Sequence, residues 1–553
     1  MKKIKIGLLM NSYELPLWEF ELIKRLKESN YSTIDLVILN DTQIKTPSYY
    51  QKIKNNWSIL LLILFTKLEE KLFTVTPNAF KPTNTKNLFE EIPVIKTKPI
   101  STRYSDSFEE NDIQIIKGYQ LDVLIRFGFK ILRGDILKSS KYGVWSYHHG
   151  DNDVNRGGPA GYWEVIEKNN ITGSVLQILN EDLDNGQILY QSYSSTDKNS
   201  IIRNRNNFFW KSLSFLPRKL EELHIFGEEK FFEKVKRENQ SLKIYSNKLY
   251  RKKHLNNWFM MKYIFAFVTR GVKTKILNQI YFNQWSLLFS IGNGMSTSIW
   301  RFKKIIPPKD RFFADPFIVR KNKINYVFIE ELIYKTNKGH ISIIEIDDNG
   351  DYSNPKKIID RKYHLSYPHV FKNKEDYFLI PDSASNKTIE LFKCIEFPYK
   401  WELHMTLMEN IQAVDSTIFY YQNKYWLFAN IAQNEGSSFW DELFLFYSEH
   451  LETKNWIPHP MNPIISDVRK SRPAGNIFIR DGIIIRPSQD CSKRYGYGVK
   501  LNEITILNEN EYKEIEIDSI KPDWNNQVKG VHTFNHNQNF TIIDAIIQRR
   551  RFF

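Results

Sequence analysis

Cysteine is scarce: 553 residues contain two, Cys394 and Cys491. Two thiols cannot build a disulfide framework or a four-ligand zinc site, and such low use fits a reducing compartment. Long apolar runs are also missing. The longest, WSILLLILF from Trp57 to Phe65, falls far short of the roughly 20 residues that cross a bilayer. The opening MKKIKIGLLMNSYELPLWEF joins basic residues to a short apolar run that passes into a helical pattern. It reads as a first buried strand, not a secretion signal, and a soluble cytoplasmic protein is expected. No Gly-x-Gly-x-x-Gly turn follows that strand, so ordinary dinucleotide binding lacks its signature. Metal-ligand spacings and RNP-like strands are missing too, so neither a metal centre nor a nucleic-acid partner is expected.

What is present is length, charge and aromatics. A chain this long needs two to four cores. The formal charge of +15 is concentrated: Lys230 to Lys275 hold thirteen Lys and Arg against Glu233 and Glu238. That segment reads as a basic helical linker over 229–295, docked on its neighbours. Its residues 230–275 also offer a peripheral membrane contact through NNWFMMKYIFAFVTRGVKTK.

The first 228 residues alternate strand and helix patterns. IKIGLLM and IDLVILN are strand-like around the amphipathic LWEFELIKRLKES; DVLIRFG and GVWSYHH follow, then TGSVLQIL and GQILYQSY. This order predicts an α/β, Rossmann-like domain with a mostly parallel sheet. Between GVWSYHH and the next helix lies WSYHHGDNDVNRGGPAGYW, Trp145 to Trp163. A buried strand ending in a polar, glycine-rich loop is where such sheets place ligands. His148 is the candidate proton acceptor, since imidazole titrates near neutrality, and Asp184 the candidate that orients it. Gly157 and Gly158 allow close backbone approach.

The run from Asp122 to Leu189 resembles the core of the 10-formyltetrahydrofolate-dependent formyltransferases. FGFKILRGDIL matches the family's segment before its Asn-x-His motif, His148 matches the catalytic histidine, and Asp184 in LDNG matches the aspartate. The resemblance implies 10-formyltetrahydrofolate as formyl donor, with Phe127, Gly128, Phe129, Ile131 and Leu132 on the cofactor side. The family's asparagine is replaced by Ser146. The donor to the developing oxyanion then falls to Ser146 or to Asn152, and losing one such donor costs on the order of 100- to 1,000-fold in rate.

The second half repeats a strand–turn–strand unit at 314–331, 366–383, 413–430, 471–490 and 530–545. Five units at this spacing predict a five-bladed, all-β propeller over 296–553. Unit starts should aim Asp315, Pro368, Asp415, Arg472 and His532 at a central cavity. Trp440 and Tyr495 are candidates for stacking on sugars. This half resembles the propellers of glycoside hydrolase family 43 and the N-terminal region of plant glucosamine inositolphosphorylceramide transferases. ADPF matches the hydrolase base and VDSTIF the second aspartate. Ser366 and Ser471 stand where the acid is expected, and Glu330 and Glu331 read as outer-strand residues. Asp315, Asp415, Arg472 and His532 are therefore assigned to glycan binding. Together the two resemblances imply formyl transfer to the amine of a nucleotide- or lipid-linked amino sugar in surface-polysaccharide synthesis. The alternatives are glycan transfer or cleavage at the propeller, and a non-catalytic glycan-binding protein.

Overall fold

A computed structural model describes residues 2–42, 51, 54, 56–151, 154, 156–181, 186–240, 249–292, 294, 295 and 299–552. The chain divides into two compact units: Met1–Phe267 with Gln433–Ser438, and Val268–Ala432 with Phe439–Phe553.

The N-terminal unit is built on one seven-stranded sheet. Its strands are β1 (Ile4–Met10), β2 (Ser32–Asn40), β3 (Val94–Thr97), β4 (Val123–Arg126), β5 (Val144–His148), β6 (Ile171–Ile178) and β7 (Gln187–Ser195), in the order β7-β6-β5-β4-β1-β2-β3. Strands β5, β4, β1, β2 and β3 are parallel, and β6 and β7 add antiparallel. Each patterned segment of the sequence lands on its strand. The central strands are apolar on both faces, as a doubly covered sheet requires. Ile6, Leu8 and Met10 pack with α1 (Leu17–Glu28), α4 (Ile201–Ser212) and α5 (Phe215–Glu238), while Leu9 joins Leu36 and Ile38 under α3 (Glu110–Gly118). The region between β2 and α3 also contains α2 (Leu60–Leu72).

The expected linker differs from what is found. The boundary at 228 falls inside α5, one residue past a kink at Gly227 (φ 75°). α6 (Asn257–Ile280) is helical as expected, but Tyr281–Ile291 is not linker. It pairs along its length with the last strand, Phe540–Arg550. The alternating pattern of QWSLLFSI was a strand signal that lay too close to the basic helix to be separated from it.

In the C-terminal unit the five repeats map onto five antiparallel sheets. Each repeat supplies a hairpin of one sheet: Arg311–Lys321 with Ile324–Ile333, Ser366–Asn373 with Asp376–Asp382, Ala413–Tyr421 with Lys424–Ile431, Phe478–Arg480 with Ile483–Asp490, and Phe534–Asn537 with Phe540–Arg550. The first three sheets carry the same irregularity: the register shifts between Ala314 and Phe317, between Ser366 and His369, and between Val414 and Thr417. The bulged residues Asp315, Tyr367 and Asp415 take φ of 50°, 44° and 54°. A bulge of this kind bends the strand and re-aims one side chain.

Among the described residues, no helix is long and apolar enough to cross a membrane.

Candidate functional site

The re-aimed side chains of the C-terminal unit meet. Asp315 is buried; its Oδ2 accepts from the Tyr367 backbone N–H at 3.1 Å and its Oδ1 accepts from the Thr533 hydroxyl at 2.8 Å. His532 bridges two carboxylates, with Nε2 3.3 Å from Asp315 Oδ1 and Nδ1 2.6 Å from Asp544 Oδ2. Asp544 also accepts from the backbone N–H of Asp315, His532 and Thr533. Beside this group, Arg472 grips Asp415 through Nε at 2.5 Å and Nη2 at 3.2 Å, and Gln489 donates to the same carboxylate at 3.0 Å. All four residues assigned to glycan binding are thus brought together.

Electrostatics follow from burial. Removal from water would discharge His532, but Asp544 and Asp315 outweigh that and hold the imidazolium up to about 9. Burial pushes Asp315 up to about 6, with His532 opposing. Burial likewise raises Asp415 against the Arg472 guanidinium, whose own charge is locked in by that carboxylate. The ligand-type atoms of Asp315, His532 and Asp544 lie within 4.8 Å of one another, a set that suits a cation. His532 would first have to surrender its proton, because a metal ligand must be neutral imidazole.

Several participants were not foreseen. In the second sheet Tyr367, not Pro368, holds the bulge position; its hydroxyl accepts from Gly475 N–H at 2.8 Å and lies 3.0 Å from Thr417 Oγ1. In the fourth sheet Gly475 sits at the turn into the strand, with φ 132°. A Cβ there would lie 2.1 Å from Phe534 O, so only glycine fits, and Arg472 reaches the centre from three residues upstream. Glu330 is not an outer-strand residue. It is buried, paired across the strands with Ala314, and lies 3.1 Å from His364, whose imidazolium it favours despite burial. Asp382 pairs in register with Ser366 and is pushed up to about 6 by burial and by Asp415. A carboxyl group thus lies directly across the strands from Ser366, where the resemblance led one to expect an acid.

Aromatic rings flank the charges. Trp285 stacks on His532 at 4.0 Å, Tyr495 meets His532 edge-on at 5.3 Å, and Arg472 lies 4.8 Å from the Tyr495 ring centre. Trp440 is 5.7 Å from Tyr495. Trp285, Trp440 and Tyr495 are half-buried, so of the two rings singled out for sugar stacking Tyr495 adjoins Arg472 and His532, and Trp440 lies next to Tyr495.

In the N-terminal unit, Ser146 and His148 lie at the carboxyl end of β5, beside the end of β4. Ser146 Oγ accepts from Arg126 Nη1 at 3.2 Å and is 3.3 Å from Tyr147 O. Arg126 is thus a cationic donor next to Ser146. Asn11 accepts from Phe129 N–H at 2.9 Å, and a Cβ on Gly128 would lie 2.5 Å from Asn11 N, so the turn after β4 closes against the end of β1. Phe129 and Leu132 are buried in the core, while Phe127 and Ile131 are half-buried. His149 sits among aromatics, 3.7 Å from Phe209 and 5.5 Å from Trp18. Its two ring nitrogens are shielded from solvent without a hydrogen-bond partner among the described residues, and burial drives its pKa well down. Asp184 and Asn152 lie outside the described residues.

Residues 289–547 match the family model described as glucosamine inositolphosphorylceramide transferase 1, N-terminal. The glucosamine inositolphosphorylceramide transferase 1 of Oryza sativa subsp. japonica is 32% identical over 209 residues, covering 37% of this chain and 28% of the relative. A methionyl-tRNA formyltransferase of Prochlorococcus marinus is 28% identical over 166 residues, 29% of this chain and 44% of that protein. The chain therefore spans less than half the length of either relative. Among solved structures, a family 117 glycoside hydrolase from Zobellia galactanivorans is 10% identical, covering 48% of this chain and 90% of the hydrolase at a TM-score of 0.32.

Proposed function

We propose that the chain is a saccharide-directed transferase whose C-terminal unit is a closed five-bladed propeller holding an amino sugar at its centre. Closure is supported by the pairing of Tyr281–Ile291 with the final strand Phe540–Arg550. The observation that carries the ligand is a surplus of carboxyl groups beneath half-buried rings. Asp315, Asp382, Asp415, Glu330 and Asp544 outnumber Arg472, His532 and His364, and each of these cations is already paired with a carboxylate. An anionic ligand gains little there. A sugar donates from its hydroxyls and ammonium to the carboxylates and lays a C–H face on Trp285 or Tyr495. The name of the rice relative includes glucosamine, which agrees with this chemistry. Titration calorimetry of the full chain with glucosamine, N-acetylglucosamine and glucose tests it. Glucosamine should bind tightest and Asp415→Asn should abolish the preference; equal affinity for all three would refute the proposal.

For the N-terminal unit we propose formyl transfer to such an amine. Bound 10-formyltetrahydrofolate would supply an activated formyl carbon on N10, against the turn that holds Phe127, Gly128 and Ile131. His148 would take up the proton that the amine loses on attack and would give it back to the donor's leaving nitrogen. Arg126 with Ser146 faces the developing oxyanion; Asn152 remains the alternative donor and Asp184 the residue to orient His148. Mass spectrometry after incubation with amino sugars and the donor should show one added formyl group, lost in His148→Ala. Products unchanged in that variant would exclude the mechanism.

Asp382 favours a second reading, glycan cleavage or transfer within the propeller. A carboxyl raised to about 6 keeps a minor protonated fraction near neutrality, and that fraction can act as an acid beside Asp415 and Arg472. Turnover of aryl glycosides that disappears in both Asp382→Asn and Asp315→Asn would establish it.

A further inference from the structure

The most apolar run of the sequence and the basic helix α6 take no part in either site, yet they pack side by side. Asn257 at the start of α6 donates from Nδ2 to Trp57 O at 2.7 Å and accepts at Oδ1 from Leu61 N–H at 2.9 Å. Further along, the Phe65 ring meets Tyr263 at 5.6 Å and Phe267 at 5.8 Å, both edge-on. Contacts that advance together along both chains make the two helices parallel neighbours. Their inner faces, Ile59, Leu62 and Phe65 with Met260, are buried in one cluster with Trp163 and Leu255.

Their outer faces are apolar and uncovered. Trp57 is 63% exposed, Leu64 53%, Leu68 54%, Trp258 63% and Met261 47%. A water-facing helix surface is normally polar, and an apolar patch of this kind marks an interaction site. Around it stand Arg251, Lys252, Lys253 and Lys262, all exposed, with no acidic residue between Leu249 and Phe267. On α2, Lys67 and Lys71 balance Glu69 and Glu70. The Lys262 ammonium lies 4.8 Å over the Trp258 ring, its stem along the apolar face.

We propose that this two-helix face docks on an anionic lipid surface, lying in the interface with Trp57 and Trp258 among the headgroups. Tryptophans beside lysines are the composition of such an interface. A second copy of the chain would bring the same cations together, whereas an anionic leaflet neutralises them. The goal is attachment, not crossing, because neither helix is long and apolar enough to span.

Sedimentation of the full chain with phosphatidylcholine vesicles, with and without about one-third phosphatidylserine, tests the proposal. The chain should partition onto the anionic vesicles and come off with added salt. Trp57→Ser with Trp258→Ser should weaken partition at least about tenfold. Lys252→Gln with Lys253→Gln should weaken it by about fivefold per charge, on anionic vesicles alone. Circular dichroism should be unchanged in both, since all four side chains face solvent. No partition, or partition indifferent to both pairs of substitutions, would overturn the proposal. So would a dimer in solution that the tryptophan pair dissociates, because a second copy would then be the occupant.

Discussion

Replacing His532 with glutamine probes the charge balance of the central cluster. In the folded chain this ring lies between Asp544 and Asp315, and they hold it at about 9. An unfolded histidine titrates near 6.5, so the folded state binds this proton more tightly. Stability from this group is therefore fully present below pH 6.5 and lost as pH rises through 9. At about 1.4 kcal/mol per pH unit the shift is worth about 3 kcal/mol. For a unit of this size that is about 6–12 °C in melting temperature between pH 7 and pH 10. Scanning calorimetry of the full chain should show the wild-type transition of the C-terminal unit falling across that range. His532→Gln should melt lower at pH 7, because two buried carboxylates lose their cation, and its transition should be nearly flat up to pH 10. A variant that keeps the wild-type slope would show that another group titrates, and the assigned ion pairs would be wrong.

Arg472→Leu strands the buried Asp415 carboxylate and should cost about 3–5 kcal/mol by thermal melting, much of it recovered in Arg472→Leu with Asp415→Leu. Gly475→Ala combines φ 132° with an overlap at 2.1 Å from Phe534 O, so a loss of at least about 2 kcal/mol or insoluble protein is expected on expression and melting. His149→Phe should do the opposite: two shielded nitrogens without partners are removed from an aromatic cage, and stability should rise by about 1–2 kcal/mol in denaturant titration.

Periodicity carries the strands well and the site unevenly. Ile4–Met10, Val123–Arg126 and Val144–His148 were legible because apolar runs bounded by polar turns leave little choice, and the five repeats because their two-strand pattern recurs. Tyr367 and Gly475 were missed because a bulge inserts one residue and changes which side chain points inward, a shift that alternation cannot count. Asp382, Gln489 and Asp544 were missed for another reason. Asp382 and Gln489 end or near the end of an apolar second strand and read as its polar edge, while Asp544 is a lone acid inside one, yet each faces the start of the strand before it. The recurrence was visible in FIEE, LIPD, PSQD and IIDA, each carrying a polar residue in its last two positions. Trp285 depended on a strand paired with residues some 250 positions later, which no local window contains. In the N-terminal unit Ser146 and His148 could be read from the strand they end. Asn11 and Arg126 could not, because neighbouring parallel strands bring them there from distant parts of the chain.

The same register argument bears on which chemistry the central cluster favours. Five carboxyl groups set close together repel one another, and replacing several with apolar residues would add stability. Their retention is ordered: Asp544 is tied down by three backbone N–H groups and Asp415 by Arg472 and Gln489. Asp382 accepts one backbone N–H from Ala384, is half-buried, and is held near 6. Binding alone would be served by ionised, fully tethered carboxylates. A loosely tethered carboxyl that changes protonation near neutrality is what proton transfer needs. Asp315 is raised to about 6 as well, but Tyr367 N–H, Thr533 and His532 tie it down, so Asp382 is the more loosely held of the two, and under the proposed function the choice between holding a sugar and breaking its bonds turns on it.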